Sequence, residues 1–440
     1  MPRHWNTAAL DAADACFVGP RRIDVVIIGG GQAGLSMSWH LQQAGIEHVV
    51  FERERCFSQW RDARWDSFCL VTPNWQCRLP GFTYDGAYGG TDPHGFMPKD
   101  QIIEYLDAYR ASFDPPLREG VEVLSVRQTP DGEFAVHTRA GDWLAGQVVI
   151  ANGVYATPVI PRAAERLPAD MLQLHSSNYR NPQSMPDGAI LVVGSGQSGC
   201  QIAEDLHIAG RAVHLCVGSA PRSPRVYRGR EVTDWLTDSG YYDIPLARHP
   251  QGEAVRDKTN HYLTGRDGGR EIDLRQRALE GMKLYGSFRN VSGTRLHFAP
   301  DLSAHLDRAD ASYNGIRALV DQYIAEAGID APPEPPYTPP WTPAAETPEI
   351  DFVNAGIRSV VWAIGFRPDY AWAQLPVFDG RGHPVHHRGV TPLAGVYFLG
   401  LSWQNTWGSG RFADVGKDAG YLLGPIRARA EGSHQSSRAA

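Results

Sequence analysis

RRIDVVIIGGGQAGLSMSWHLQQAGIEHVVFERE, from Arg21 to Glu54, decides the fold class. Its β-branched run IDVVII leads into Gly29, Gly31 and Gly34, the spacing G-x-G-x-x-G. In such a turn the first glycine permits the bend and the second lets backbone approach a pyrophosphate. The third lets the following helix pack close to the strand. Gln32 and Ala33 open that helix, whose free N–H groups and positive dipole end suit phosphate. HVVF then reads as a second strand ending at Glu52, 21 residues after Gly31, where a carboxylate can accept ribose hydroxyls; Arg53 follows it. The motif alone also occurs as a plain structural turn. Strand, turn, helix, strand and acid together favour a dinucleotide.

GAILVVGSGQSGCQIAEDLHIAGRAVHLCVGSA, from Gly188 to Ala220, repeats the design about 165 residues later. Gly194, Gly196 and Gly199 occupy the turn, with Gln197 and Ser198 between them. Here the second strand ends without an acid and is followed by Ser219, Arg222, Arg225, Arg228 and Arg230. Losing the carboxylate and gaining cations is what a 2′-phosphate requires, so the expectation is NADPH over NADH. The competing reading makes these arginines a solvated loop.

Around these units, 440 residues exceed one ordinary core, and 42% hydrophobic with 21% charged residues is a globular profile. A net charge of −7 offers no basic face for nucleic acid. No apolar run reaches the length of a membrane helix, and the N-terminus lacks a secretion h-region. The six cysteines are scattered without C-x-x-C spacing, which fits a cytoplasmic setting. The histidines show no metal spacing, so no metal is expected.

Lys99 to Ala111 has helical spacing. Apolar residues at Leu302, Leu306, Ala309, Tyr313, Ile316, Val320 and Ile324 predict one long amphipathic helix, stopped by Gly328. APPEPPYTPPWTP, from Ala331, reads as a stiff connector. SVVWAIGF and GVYFLGL read as buried strands, and residues 1–21 and 430–440 as flexible ends.

FERERCFSQWRDARWDSFCLVTPNWQCRLPGF, QLHSSNYR, ANGVYATPVIP and VVWAIGFRPD resemble segments of the class B flavin monooxygenases, which include flavin-containing monooxygenases and YUCCA indole-pyruvate monooxygenases. The likeness covers roughly residues 22–425 and is similar above all to bacterial flavin-dependent oxidoreductases of nitrilase gene clusters. It implies an α/β fold with two Rossmann-like dinucleotide-binding domains. The FAD-binding domain would be discontinuous, 22–155 plus 345–425, with an NAD(P)H-binding domain inserted at 156–344. Asn152 and Ile364 replace the threonine of the family's two A-T-G linkers. By resemblance, Gln59 and Trp60 lie beside the flavin, and Asn74 lies at its reactive edge. Trp403 and Gln404, with Trp407, belong to a loop approaching flavin and nicotinamide.

The implied enzyme is an NAD(P)H-dependent FAD monooxygenase that forms a C4a-hydroperoxyflavin. With O₂ it would oxygenate a small organic substrate at nitrogen or sulfur, or by oxidative decarboxylation. The Baeyer–Villiger signature is unmet: aligned on His175, Ala169, Met171 and Tyr179 stand where Phe, Gly and Trp belong. An H₂O₂-producing FAD oxidase and a non-catalytic redox sensor are the alternatives, and a disulfide reductase lacks its thiol pair. The region from Val226 to His297 is expected to shape the substrate channel. Oligomeric state stays open, a homodimer included.

Overall fold

The computed structural model describes residues 19–439, so most of the N-terminal stretch expected to be flexible lies outside the described residues. In the first unit β1 (Arg21–Ile28), α1 (Gln32–Gln43) and β2 (His48–Phe51) follow one another as a parallel pair with its crossover helix. The predicted helix α2 is present as Lys99–Ala111. β3 (Leu117–Arg118), β4 (Val123–Gln128), β5 (Phe134–Thr138) and β6 (Gly141–Ile150) complete a mixed sheet of order β3-β2-β1-β6-β5-β4. Val25, Val26 and Ile27 are fully buried because both faces of the central strand are covered.

A short β7 (Thr157–Pro158) leads across to the second unit. There β8 (Leu172–His175), β9 (Ala189–Val193), α3 (Gln197–Ile208), β10 (Val213–Cys216) and β11 (Lys283–Tyr285) occur in chain order. β12 (Phe288–Ser292) and β13 (Arg295–Phe298) form a hairpin, followed by α4 (Leu302–Ala327). This is the predicted amphipathic helix: all seven named apolar residues are buried, and Gly328 caps it at φ 64°.

The return to the first unit comes later than the expected residue 345. β14 (Glu349–Asp351) joins the β12–β13 hairpin, and β15 (Ile357–Trp362) inserts between β8 and β9 in an all-parallel sheet, β8-β15-β9-β10-β11. An apolar run such as SVVW names no partner; only the assembled sheet does. The crossing is made by β16 (Phe366–Arg367), antiparallel to β7, so the outgoing and returning connectors are zipped together. β17 (Val396–Phe398) then pairs with β6, and α5 runs Val415–Ala439. The C-terminal stretch expected to be flexible is therefore helical to Ala439. Leu422 and Ile426 bury one face of α5, and Arg427, Ala428, Arg429 and Ala430 are good helix formers just beyond Pro425. Among the described residues no helix is long and apolar enough to cross a membrane.

Candidate active site

Both glycine turns have the sterics of a nucleotide cradle. A Cβ on Gly34 would lie 1.9 Å from the Gly29 carbonyl oxygen, and one on Gly29 would lie 2.4 Å from that of Ala151. Only bare backbone permits such approach. A Cβ on Gly31 meets nothing within 4 Å, because Gly31 faces a cavity of about 330 Å³. The second turn divides the same way. A Gly199 Cβ falls 1.9 Å from the Gly194 oxygen and a Gly194 Cβ 2.6 Å from that of Ala363, whereas Gly196 meets only a Thr259 methyl at 3.6 Å. In each unit the outer glycines press on backbone, while the middle one meets open space at Gly31 and only ordinary contact at Gly196.

Gln32, Ala33, Glu52, Arg53, Gln59 and Trp60 all line the smaller cavity. Gln32 donates to the Gly410 carbonyl at 3.1 Å and accepts from the Trp60 indole N–H at 3.2 Å. Trp60 stacks on Phe412 with ring centroids 5.1 Å apart. The Gln59 Oε1 is buried without a partner, a cost that a ligand donor would remove. Glu52 accepts from the N–H groups of Gly30 and Glu54 at 2.7 and 3.0 Å, and its oxygens keep lone pairs for ribose hydroxyls. These donors and acceptors fit an extended dinucleotide such as FAD.

Gln197 and Ser219 line a second cavity of about 1140 Å³, with Ser198 in the turn behind them. The expected role of Arg222 as a phosphate ligand does not match its surroundings. It is 2% exposed and lies 3.0 Å from both Asp273 and Asp310 and 3.5 Å from Glu271, between the rings of Tyr313 and Tyr337. Burial alone would lower its pKa, but Asp273, Tyr337 and Glu271 hold it above the ordinary arginine range. Arg225 pairs with Glu231, Arg228 with Asp321 and Arg230 with Asp238. Each of these acids comes from outside the arginine run, α4 alone contributing Asp310 and Asp321. Wall cations without a carboxylate lie elsewhere. Lys258 and Arg308 both line the larger cavity, and among the described residues neither has an ion-pair partner.

Trp403 and Trp407 line this cavity too, and Trp403 is held in the left-handed region at φ 52°, a strained conformation for a bulky side chain. Gln404, expected beside them, turns inward: 1% exposed, it bonds the Leu401 N–H and the Arg388 carbonyl and lines neither cavity. Asn74 is likewise on neither wall. Its amide donates to the Asp92 carbonyl at 3.0 Å and accepts from the Met97 N–H at 2.7 Å, clamping the 92–97 loop. Its place in a family motif could not show that both polar atoms are taken.

The 226–297 region expected to shape a channel supplies Tyr241, Tyr242, His249, Lys258, Asn260 and His261 to the wall. Burial and the nearby Arg411 guanidinium push His261 down to about 4, so its imidazole meets Ser312, at 3.1 Å, uncharged at neutral pH. Arg411, on the same wall, belongs to no sequence motif that would single it out. No described cysteine lines either cavity, and burial pushes the Cys69 and Cys77 thiols up. Thiol–disulfide chemistry has no purchase there.

Residues 26–237 match the family described as pyridine nucleotide-disulphide oxidoreductase. The chain is 33% identical over 408 residues to an uncharacterized CzcO-like oxidoreductase of Geobacillus kaustophilus, covering 92% of this chain and 98% of that one. It is also 33% identical over 235 residues to the indole-3-pyruvate monooxygenase YUCCA4 of rice, covering 47% and 51% of the two chains. The fold matches a flavin-containing monooxygenase from Stenotrophomonas maltophilia at TM-score 0.62, with 19% identity over 93% of this chain and 99% of that one.

Proposed function

Since the chain belongs to the CzcO-like oxidoreductases within the class B flavin monooxygenases, we propose that it is an NADPH-dependent FAD enzyme that oxygenates a small organic substrate with O₂. The carrying observation is the pair of glycine turns, the first lining the smaller cavity through Gly29 and Gly31 and the second reaching the larger one through Gln197, with the two cavities meeting at shared wall residues. FAD when bound supplies hydride acceptance and oxygen activation. The chain's residues hold and shield the reactants. Gly31 and the start of α1 take one pyrophosphate, Gly196 and the start of α3 the other. Glu52 orients the first ribose. Tyr242 stacked on Trp407 at 4.0 Å, with Trp403 beside them, makes an aromatic wall that excludes water from the reaction space.

The test is anaerobic mixing of the purified yellow protein with NADPH, then admission of O₂ with H₂O₂ release followed. Fast bleaching, with O₂ uptake that outruns H₂O₂ release once a substrate is present, is the expected result. Failure of both NADPH and NADH to bleach the flavin would remove the monooxygenase reading and favour the oxidase.

We assign the 2′-phosphate of NADPH to Lys258 and Arg308, two cations without an ion-pair partner among the described residues, in the cavity that Ser219 also lines. Losing one charge-assisted contact costs about tenfold in affinity. Arg308→Ala and Lys258→Ala are therefore expected to raise the KM for NADPH about tenfold each and to leave that for NADH in place. Equal effects on both nucleotides would refute the assignment.

A further inference from the structure

Two residues, Asn260 and Arg411, line both cavities at once. Arg411 stands at the junction with its guanidinium carbon 4.2 Å from the Trp407 ring centre, and Trp407 also stacks on Tyr242. One Nη donates to the Trp407 carbonyl and the other to Asn260 Oδ1 at 2.6 Å. A guanidinium has five N–H donors, and these two bonds leave three for a ligand.

What Arg411 lacks is a counter-ion. Among the described residues no carboxylate lies within ion-pair distance of it. The nearby acid, Asp414, is held by Lys417 at 2.8 Å. Other buried arginines of this protein are compensated, Arg222 by Asp273 and Asp310, Arg225 by Glu231 and Arg275 by Asp310. A cation withdrawn from water without a partner is destabilising, and burial already pulls Arg411 below the usual arginine range. An anionic occupant of the site removes that cost.

Lys258 and Arg308 are the cations assigned to the 2′-phosphate, and Arg64, also without a carboxylate, opens only into the smaller cavity, where a dinucleotide brings its own phosphates. Arg411 lines the larger cavity as well, beside Trp407 and the Tyr242 ring stacked on it, in a wall that also includes Trp403, Tyr241 and Leu236. The nicotinamide nucleotide's pyrophosphate is served by the start of α3. That leaves an anion on the third reactant.

We propose that Arg411, steadied by Asn260, anchors the carboxylate of the substrate, which is an organic acid with an apolar or aromatic body. Guanidinium and carboxylate match as a two-pronged pair, and the aromatic wall receives the body. Cationic amines are excluded by the same charge. The inference rests on the reading that FAD fills the smaller cavity.

Phenylacetate is the probe, titrated into the FAD-loaded protein while the visible flavin spectrum is followed. The expected result is a saturable spectral change with phenylacetate and none with phenylacetamide or phenethylamine at equal concentration. Arg411→Gln should weaken phenylacetate binding by about ten- to a hundredfold. Arg411→Lys, which keeps the charge but not the fork, should recover part of it. FAD content and NADPH affinity are measured on the same variants. A loss of either as large as the loss of phenylacetate would show that the guanidinium serves a cofactor and would overturn the proposal. Equal binding of phenylacetate and phenylacetamide would overturn it too. A protein that binds phenylacetate through Arg411 but is not reduced by NADPH would instead sink the monooxygenase reading and leave this one standing.

Discussion

Gly199→Ala is expected to leave a yellow protein that NADPH reduces about a hundredfold more slowly at limiting nucleotide. The added methyl would sit 1.9 Å from the Gly194 carbonyl oxygen and 3.2 Å from the Ala363 Cβ, so α3 must back away from its strand. Backbone cannot yield as a flexible side chain would. A displacement on the order of 1 Å is enough to misplace a hydride donor by two orders of magnitude in rate. The matching change in the first unit, Gly34→Ala, puts its methyl 1.9 Å from the Gly29 oxygen and should cost the protein its FAD instead. Gly31→Ala is the control. Its Cβ meets no protein atom within 4 Å, so the fold should survive with weakened FAD binding. FAD content read from the flavin absorbance, against stopped-flow reduction, separates the three. Wild-type reduction by NADPH in Gly199→Ala would mean that the second turn is not the nicotinamide site.

Arg222→Ala is expected to be the most destabilising of the arginine changes while leaving the preference for NADPH intact. The side chain neutralises Asp273 and Asp310 in a place almost closed to water, and Arg275 shares Asp310 with it. Removing one partner of a buried pair strands the other, at about 3–5 kcal/mol. Thermal unfolding should fall by roughly 10 °C, and part of the protein should become insoluble. Arg225→Ala should follow in the same direction, since it strands Glu231. By contrast, Arg230→Ala breaks only an exposed pair with Asp238 and should be nearly silent. A stable Arg222→Ala protein that no longer tells NADPH from NADH would reverse this assignment and return the phosphate to Arg222.

These two predictions mark where the chain can be read from its sequence. The glycine turns were legible because their requirements are local. Within 14 residues, Arg21 to Gly34, the strand, the bend and the helix start are all specified by side-chain shape and by the absence of Cβ atoms. α4 was legible for the same kind of reason. Its apolar residues recur at helical spacing, and Gly328 supplies the left-handed cap. Glu52, Gln59 and Trp60 reached the cavity wall because the strand and short loop carrying them directly adjoin the first turn.

Tertiary structure alone decided the rest, because charge and polarity along the chain say nothing about partners. The arginines after Ser219 look like a phosphate site until α4, some 80 residues on, brings Asp310 to Arg222 and Asp321 to Arg228. Asn74 and Gln404 are polar residues in loops, and only packing shows that their amides are occupied by backbone. SVVW could have paired in either sheet. Arg411 and Asn260, with no motif around either, become the junction of two cavities only because residues 151 positions apart meet at 2.6 Å. Local sterics therefore set the nucleotide turns, while long-range ion pairing and burial determined which cations remain free to meet a ligand.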